Sequence, residues 1–434
     1  MSQGMKRRDF VKGTLAAAGT ALGVPIFGRG EDYVFKTALI GSGWWGMNIL
    51  RCAVAAGRSR VVALCDVDDN QLQPALDEIE QLTGSRPKGY PDYRELIHGE
   101  RPEIVIVATP DHWHALPMIE AVEAGAHVYQ EKPISHTIDE GKAMVRAARR
   151  NERVVQVGTH RRISPHNVSG MEFLRSGGAG KITYIRAFVY YGMDGPGRRY
   201  PDEDPPPGLD WDFWCGPAPY RPFNRSVHPR GFRRYLDFAN GQLGDWGIHW
   251  LDQILWWAEG EYPRKVYSTG GRYILDDGSD APDTQVATYE FEDFTVTWEH
   301  RLYGGYPEQK HPFGCFFYGT KGVFHMGWLD GWTFYPKDSG QPVLHEEPRL
   351  HQPDDQNIPE LWADFLEAVD RGRRPRCDIE IVQRSTNLSL LGMLSLKVGR
   401  SLEWDGGKET IVGDPEAAAL MRRKYREPWK YPAV

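Results

Sequence analysis

From residue 35 the chain alternates short β-branched and aliphatic runs with segments whose apolar positions recur every three to four residues. The runs predict strands at about 35–40, 61–67, 104–108, 127–130 and 154–157, and the helical spacing predicts helices at about 45–56, 71–82, 115–124 and 138–150. Alternation at this pitch predicts a doubly wound parallel sheet, an α/β fold. Beyond it the pattern changes. A helix at about 165–175 precedes a long strand at 182–191, then strands at about 266–274, 285–291, 295–300, 315–319 and 323–326, with helices at 243–258, 360–370 and 380–399. Residues 192–234 hold little periodicity and much Pro, Gly and Arg, yet carry buried-type aromatics such as Trp211 and Trp214. A loop of this kind reads as a lid or an oligomer contact.

Composition narrows the class of protein. The 434 residues, 41% hydrophobic and 26% charged, suit a folded chain of two or three domains. A net charge of −7 argues against nucleic acid as the partner. Five scattered cysteines show neither zinc nor redox spacing and read as small buried hydrophobes, so no metal is expected. The content of 15 Trp and 47 Gly is high. Residues 1–30 combine Lys6-Arg7-Arg8-Asp9-Phe10-Val11-Lys12 with a short apolar run from Leu15 to Phe27. That pattern resembles a twin-arginine export signal, predicting an exported or periplasmic protein without a stable membrane span.

The first strand runs into Gly41-Ser42-Gly43-Trp44-Trp45-Gly46. Gly41 permits a tight turn, Gly43 lets backbone approach a pyrophosphate, and Gly46 allows close helix packing at a helix N-terminus. The second strand ends near Asp66, 20 residues after Gly46, where a carboxylate accepts hydrogen bonds from a ribose diol and repels a 2′-phosphate. The set predicts a dinucleotide site for NAD rather than NADP. The third strand leads into Thr109-Pro110-Asp111-His112-Trp113-His114, so Thr109, Pro110 and His112 are expected at the crevice, His112 in a structural or cofactor-edge role. The fourth ends in Glu131-Lys132-Pro133, which places Lys132 where a nicotinamide would lie.

In this order, and continuing with Asp245-Trp246-Gly247-Ile248-His249, these motifs resemble the Gfo/Idh/MocA family of NAD(P)-dependent sugar and polyol oxidoreductases, over about residues 34–400. One departure is Asn240-Gly241-Gln242-Leu243, where many relatives place two glycines. The resemblance implies a Rossmann domain at 34–158, an α+β substrate and oligomerisation domain at 159–380 with a large, mostly antiparallel open sheet, and a segment at 381–434 returning to the first domain. It also implies tightly bound NAD and a homo-oligomer, dimer or tetramer. Asp245 and His249, four apart in an apolar helix, share a face. By the resemblance His249 is the general base on a sugar hydroxyl, Lys132 stabilises the oxygen, and Asp245 orients substrate or His249. His160, Arg161, Tyr190, Asp194 and Trp211 are expected at the substrate. The Trp214-Cys215-Gly216-Pro217-Ala218-Pro219 stretch is similar to an exported branch acting on glycosides. The basic run 422–426 reads as a solvated tail. Net oxidation of a pyranose or glycoside, for instance at C3, glycoside cleavage by transient oxidation, and a non-catalytic sugar-binding module are the competing outcomes.

Overall fold

A computed structural model of the chain describes residues 32–193, 195–305, 310–352 and 356–433. The export-signal segment and Asp194 lie outside the described residues. Strands β1 (Phe35–Ile40), β2 (Ser59–Cys65), β3 (Lys88–Tyr90), β4 (Ile104–Val107), β5 (His127–Gln130) and β6 (Val155–Val157) form a parallel sheet ordered β3-β2-β1-β4-β5-β6. Helices α1 (Trp44–Ala55), α2 (Asp69–Thr83), α3 (Tyr93–Glu100), α4 (Ala115–Glu123) and α5 (Ile138–Arg150) cover it. The strands β4 and β5 are buried at every position, as a sheet sandwiched between helix layers requires. Reading the sequence misses β3 and α3, because Lys88-Gly89-Tyr90 offers no apolar alternation. The strand order reverses between β1 and β4, and the ligand crevice of such a sheet opens there.

After α6 (Pro165–Arg175) the chain lays down β7 (Ile182–Tyr190), the start of a ten-stranded sheet. The short helix α7 (Trp211–Cys215) and the helix α8 (Ile248–Trp257) come next. The remaining strands are β8 (Lys265–Gly271), β9 (Thr284–Glu290), β10 (Thr295–Arg301), β11 (Phe313–Gly319), β12 (Gly322–Met326), β13 (Trp332–Pro336), β14 (Leu344–Glu346), β15 (Leu402–Asp405) and β16 (Thr410–Val412). Their order is β14-β13-β12-β11-β7-β10-β9-β8-β15-β16, antiparallel except where β7 meets β10. One face, with Ile185, Ala187 and Val189 of β7, packs under Trp250, Leu251 and Ile254 of α8. The other carries Tyr184, Arg186, Phe188 and Tyr190, since side chains alternate along a strand.

Helices α9 (Ile358–Arg371) and α10 (Ile379–Val398) return to the first domain. Leu361, Trp362 and Phe365 of α9 and Val382 of α10 join its core, whereas Leu388 to Met393 sit in that of the second. The apolar face of α9 is buried against α1 and Tyr129, the packing on the dinucleotide domain that the family resemblance implies for these late helices. The basic run 422–426 is not a solvated tail. Arg423 binds Glu140 at 2.8 Å and the His112 carbonyl at 2.7 Å, and Arg426 reaches Asp212 at 2.6 Å.

Residues 196–239 form an ordered strap with its own core of Trp211, Trp214, Phe223, Phe232 and Phe238. It is pinned to the end of β2: the Asp69 amide donates to the Gly208 carbonyl at 2.9 Å, the Asp210 amide to Val67 at 2.9 Å, and His228 meets Asp68 at 2.8 Å. No helix of the described residues is long and apolar enough to cross a membrane.

Candidate active site

The crevice at the strand-order reversal is built from glycines. At φ +92°, Gly41 sits so close to β4 that a Cβ would lie 2.6 Å from the Ala108 carbonyl oxygen. A Cβ on Gly46 would run into the Gly41 carbonyl, which fixes α1 against the turn. Gly43, the N-cap of α1, has open space on its Cα side and no side-chain cap, so the first amides of the helix face the crevice. Beyond them Asp66 accepts from the Ser42 amide at 2.9 Å and the Ser42 hydroxyl at 3.2 Å. Burial pushes the Asp66 carboxyl up against the hydrogen bonds from Asp68 and Ser42, as expected of an acid awaiting further donors. An apolar cleft between Gly41, Asp66, Thr109 and Pro110 is closed by Phe213 and Trp214 of the strap. Open backbone at a helix N-terminus, a ribose-side acid and an apolar slot fit a dinucleotide. Trp44 faces outward under the Arg230 guanidinium, so its amide rather than its indole belongs to the cradle; Trp45 packs against the first domain's core.

Lys132 leaves the end of β5 and crosses to the second domain. Its Nζ donates to Asp245 Oδ1 at 2.7 Å and to the Asp245 carbonyl at 2.9 Å. Asp245 lies in a π-helical turn, Leu243–Gly247, that runs into α8. Such turns disturb the i, i+4 register and recur at functional sites. Asp245 therefore serves Lys132, and among the described residues no hydrogen bond joins it to His249. A second cation, Arg233 of the strap, approaches Asp245 Oδ1 at 3.2 Å. Burial alone would raise the Asp245 carboxyl, but Lys132 and Arg233 outweigh it and hold it at about 2.

His249 is buried one turn further on, its Nδ1 without a hydrogen-bond partner among the described residues. Its ring is 4.9 Å from that of Trp328, 5.6 Å from that of His160 and 6.2 Å from that of Trp246. Burial first, then the charge of Lys132, holds its imidazole well below the usual histidine range, and therefore neutral. Burial likewise pushes the carboxyls of Asp111 and Glu131 up to about 7, against Arg233 and Lys132 respectively. The cleft thus combines a neutral imidazole, a fixed ammonium and two acids that titrate near neutrality, the mixture found where protons are moved.

Of the expected site residues, Gly41, Ser42, Gly43, Gly46, Asp66, Thr109 and Pro110 meet at the cradle, and Lys132, His160, Asp245 and His249 meet opposite it. Four do not join them. His112 turns away under the strap, its Nε2 2.9 Å from the Trp214 carbonyl. Arg161 is fully buried beneath Trp328, with its guanidinium 3.6 Å from the ring centre. Tyr190 lies on the far face of the second sheet, bonded to Glu299 and Arg186. Trp211 stacks on Trp214 inside the strap. Sequence reasoning misses Arg233, Trp328 and Asp111. Asp111 stands inside the strand-end motif and was within reach; Arg233 and Trp328 come from irregular segments with no distinguishing pattern.

Residues 35–159 match the family model described as "Oxidoreductase family, NAD-binding Rossmann fold". Residues 187–270 and 341–431 match its companion, "Oxidoreductase family, C-terminal alpha/beta domain". An inositol 2-dehydrogenase of Salmonella typhimurium is 29% identical over 168 residues, 38% of this chain and 49% of that protein. A glycosyl hydrolase family 109 protein of Stenotrophomonas maltophilia is 33% identical over 132 residues, 29% of each chain. The chain thus spans about half the length of the first of these relatives and less than a third of the second. Among solved structures, the aldose-aldose oxidoreductase of Caulobacter crescentus superposes with a TM-score of 0.64 at 19% identity, covering 85% of this chain and 99% of that one. The WlbA dehydrogenase of Bordetella pertussis, crystallised with NADH and UDP-GlcNAcA, gives 0.63 at 18%, covering 86% and 99%.

Proposed function

This chain belongs to the Gfo/Idh/MocA family of oxidoreductases, and we propose that it interconverts a ring hydroxyl, for instance that at C3, and a ketone on a pyranose or glycoside, with NAD held tightly and recycled in place. The observation that carries the reading is the pairing of a buried, neutral His249, whose Nδ1 has no hydrogen-bond partner among the described residues, with an ammonium, Lys132, locked by two bonds to Asp245. Nicotinamide, when bound, supplies hydride chemistry. The chain does the rest. His249 takes the hydroxyl proton, Lys132 donates to that oxygen as carbonyl character develops, and Asp245 holds Lys132 in place. His160, Trp246 and Trp328 wall the sugar, their aromatic faces suiting its C–H surface. The segment at 1–30 would export the folded, loaded protein, and the outer face of the second sheet would form the homo-oligomer.

A second reading, glycoside cleavage by transient oxidation, elimination, hydration and re-reduction, is favoured by Asp111. Elimination needs an acid–base group beyond the one that served the oxidation, and a buried carboxyl at about 7, in the electrostatic field of Arg233 and Lys132, can provide it. The two readings separate on one experiment. Protein purified with its own NAD is incubated with a glycoside panel and the products are analysed. Accumulated ketosugar sinks cleavage; free aglycone without net NADH sinks simple oxidation; a protein that neither carries nor binds NAD sinks both.

A further inference from the structure

One cluster of ligating side chains takes no part in the cleft. His325 lies on β12 between Phe324 and Met326, which point into the second domain's core, so alternation sends His325 to the sheet's other face. It is completely buried there, and among the described residues neither ring nitrogen has a hydrogen-bond partner. Beside it stand two groups from separate segments. The His311 ring, just before β11, stacks on the His325 ring with centroids 3.8 Å apart. Asp330, in the turn between β12 and β13, places Oδ2 2.6 Å from His311 Nδ1 and 3.9 Å from His325 Nδ1. One ligand atom from each of the three lies within 4.8 Å of the others.

We propose that His311, His325 and Asp330 form a binding site for a divalent transition-metal cation, with Zn²⁺ as its reference ligand. Two imidazoles and one carboxylate suit zinc and its neighbours, whereas magnesium and calcium prefer all-oxygen sets. Tetrahedral ligands with metal–nitrogen bonds of about 2.0 Å stand roughly 3.3 Å apart, so the 3.9 Å gap between His325 and Asp330 has to close while the 2.6 Å contact between His311 and Asp330 opens to admit the ion. His311 can supply that movement: it is partly exposed, outside any strand, and 20% accessible at its side chain. His325 is the fixed member, floored by Phe316 at 4.6 Å. Three protein ligands leave a fourth position for water.

Asp330 also ties the cluster to the cleft. The turn that carries it carries Trp328, and it folds so tightly over the carboxylate that a Cβ on Gly327 would run into Asp330. A cation held by Asp330 therefore fixes the turn, and with it the aromatic wall beside His249. This coupling rests on the function proposed above; the site itself does not.

The test uses full-length, untagged protein stripped with a chelator. Zn²⁺ is titrated in competition with a chromophoric chelator, and Co²⁺ is added separately to read its visible absorption. One ion per chain bound at micromolar concentration or below is expected, with affinity reduced about tenfold or more in His311→Ala and in Asp330→Asn. Both positions are partly exposed, and matching circular dichroism and metal-free melting temperatures check that the variants fold. Absence of Zn²⁺ binding, or binding that neither substitution weakens, overturns the site. Zn²⁺ that binds as expected but leaves glycoside turnover unchanged in the wild type overturns only the coupling.

Discussion

The dinucleotide side of the cleft uses one continuous run, Gly41 to Gly46, and acts mostly through backbone, while the opposite side gathers Lys132, His160, Arg233, Asp245 with His249, and Trp328 from five separate segments. On the first side specificity lies in what side chains are absent: a Cβ at Gly41 or Gly46 would strike backbone. On the second it lies in which charges are forced together under burial, as where Lys132 and Arg233 hold Asp245 at about 2. A cofactor cradle can therefore be written locally, but a proton-transfer site has to be assembled.

The comparison is broken most forcefully on the assembled side. Lys132→Ala and His249→Ala should each cost about 10²- to 10⁴-fold in kcat/KM while NADH still binds, read by fluorescence titration. Full activity in either variant would remove that residue from the chemistry. On the local side, Gly46→Ala should destabilise by about 1–3 kcal/mol as the Gly41 turn is displaced, lowering both the melting temperature and NADH affinity. Unchanged NADH binding there would mean that the turn does not form the cradle. Acid dependence sharpens the contrast. Because the His249 pKa is depressed in the folded state, its base form persists below pH 6.5. The His249 limb of kcat/KM therefore falls below 6.5, and the stability it contributes is present above 6.5 and lost as the pH drops further. Asp111 has the opposite sign. With a folded value of about 7 it retains its proton where the unfolded chain has released it, so its contribution to stability fades as pH rises from about 4 to 7. Asp111→Asn should remove an ionisation near 7 from the pH–rate profile; a profile identical to wild type would show that Asp111 does not act. The smallest effect is expected at Asp66→Ser, about fivefold weaker NAD binding with relative gain for NADP, equivalent to roughly 1 kcal/mol.

Much of the first domain is legible in the sequence because its signals are short-range. The apolar runs of β1, β4 and β5 and the capping box of Thr137 and Glu140 at the start of α5 each fix an element from a few neighbouring residues. Trp content was more ambiguous. Trp250 is core, Trp211 and Trp214 form the strap's interior, and Trp246 and Trp328 line the cleft beside His249. Tyr190 and Arg161 illustrate the limit. The former lies one residue away from the core face of its strand, and a period of two sends it to the other side of the sheet. The latter follows a site histidine, yet turns beneath Trp328, a partner 167 residues away.

By itself the sequence determined the parallel sheet, the glycine turn and the acid at the end of β2, because each is set by spacing within a few neighbouring residues, and the order of the motifs pointed to Lys132, Asp245 and His249 through the family they resemble. The tertiary structure alone decided that Asp245 serves Lys132 rather than His249, that the strap closes the cofactor slot and contributes Arg233, and that the C-terminal basic run clamps Glu140. Those choices depend on which distant charges share a buried volume. Their energies come from desolvation and contact, which no local pattern encodes.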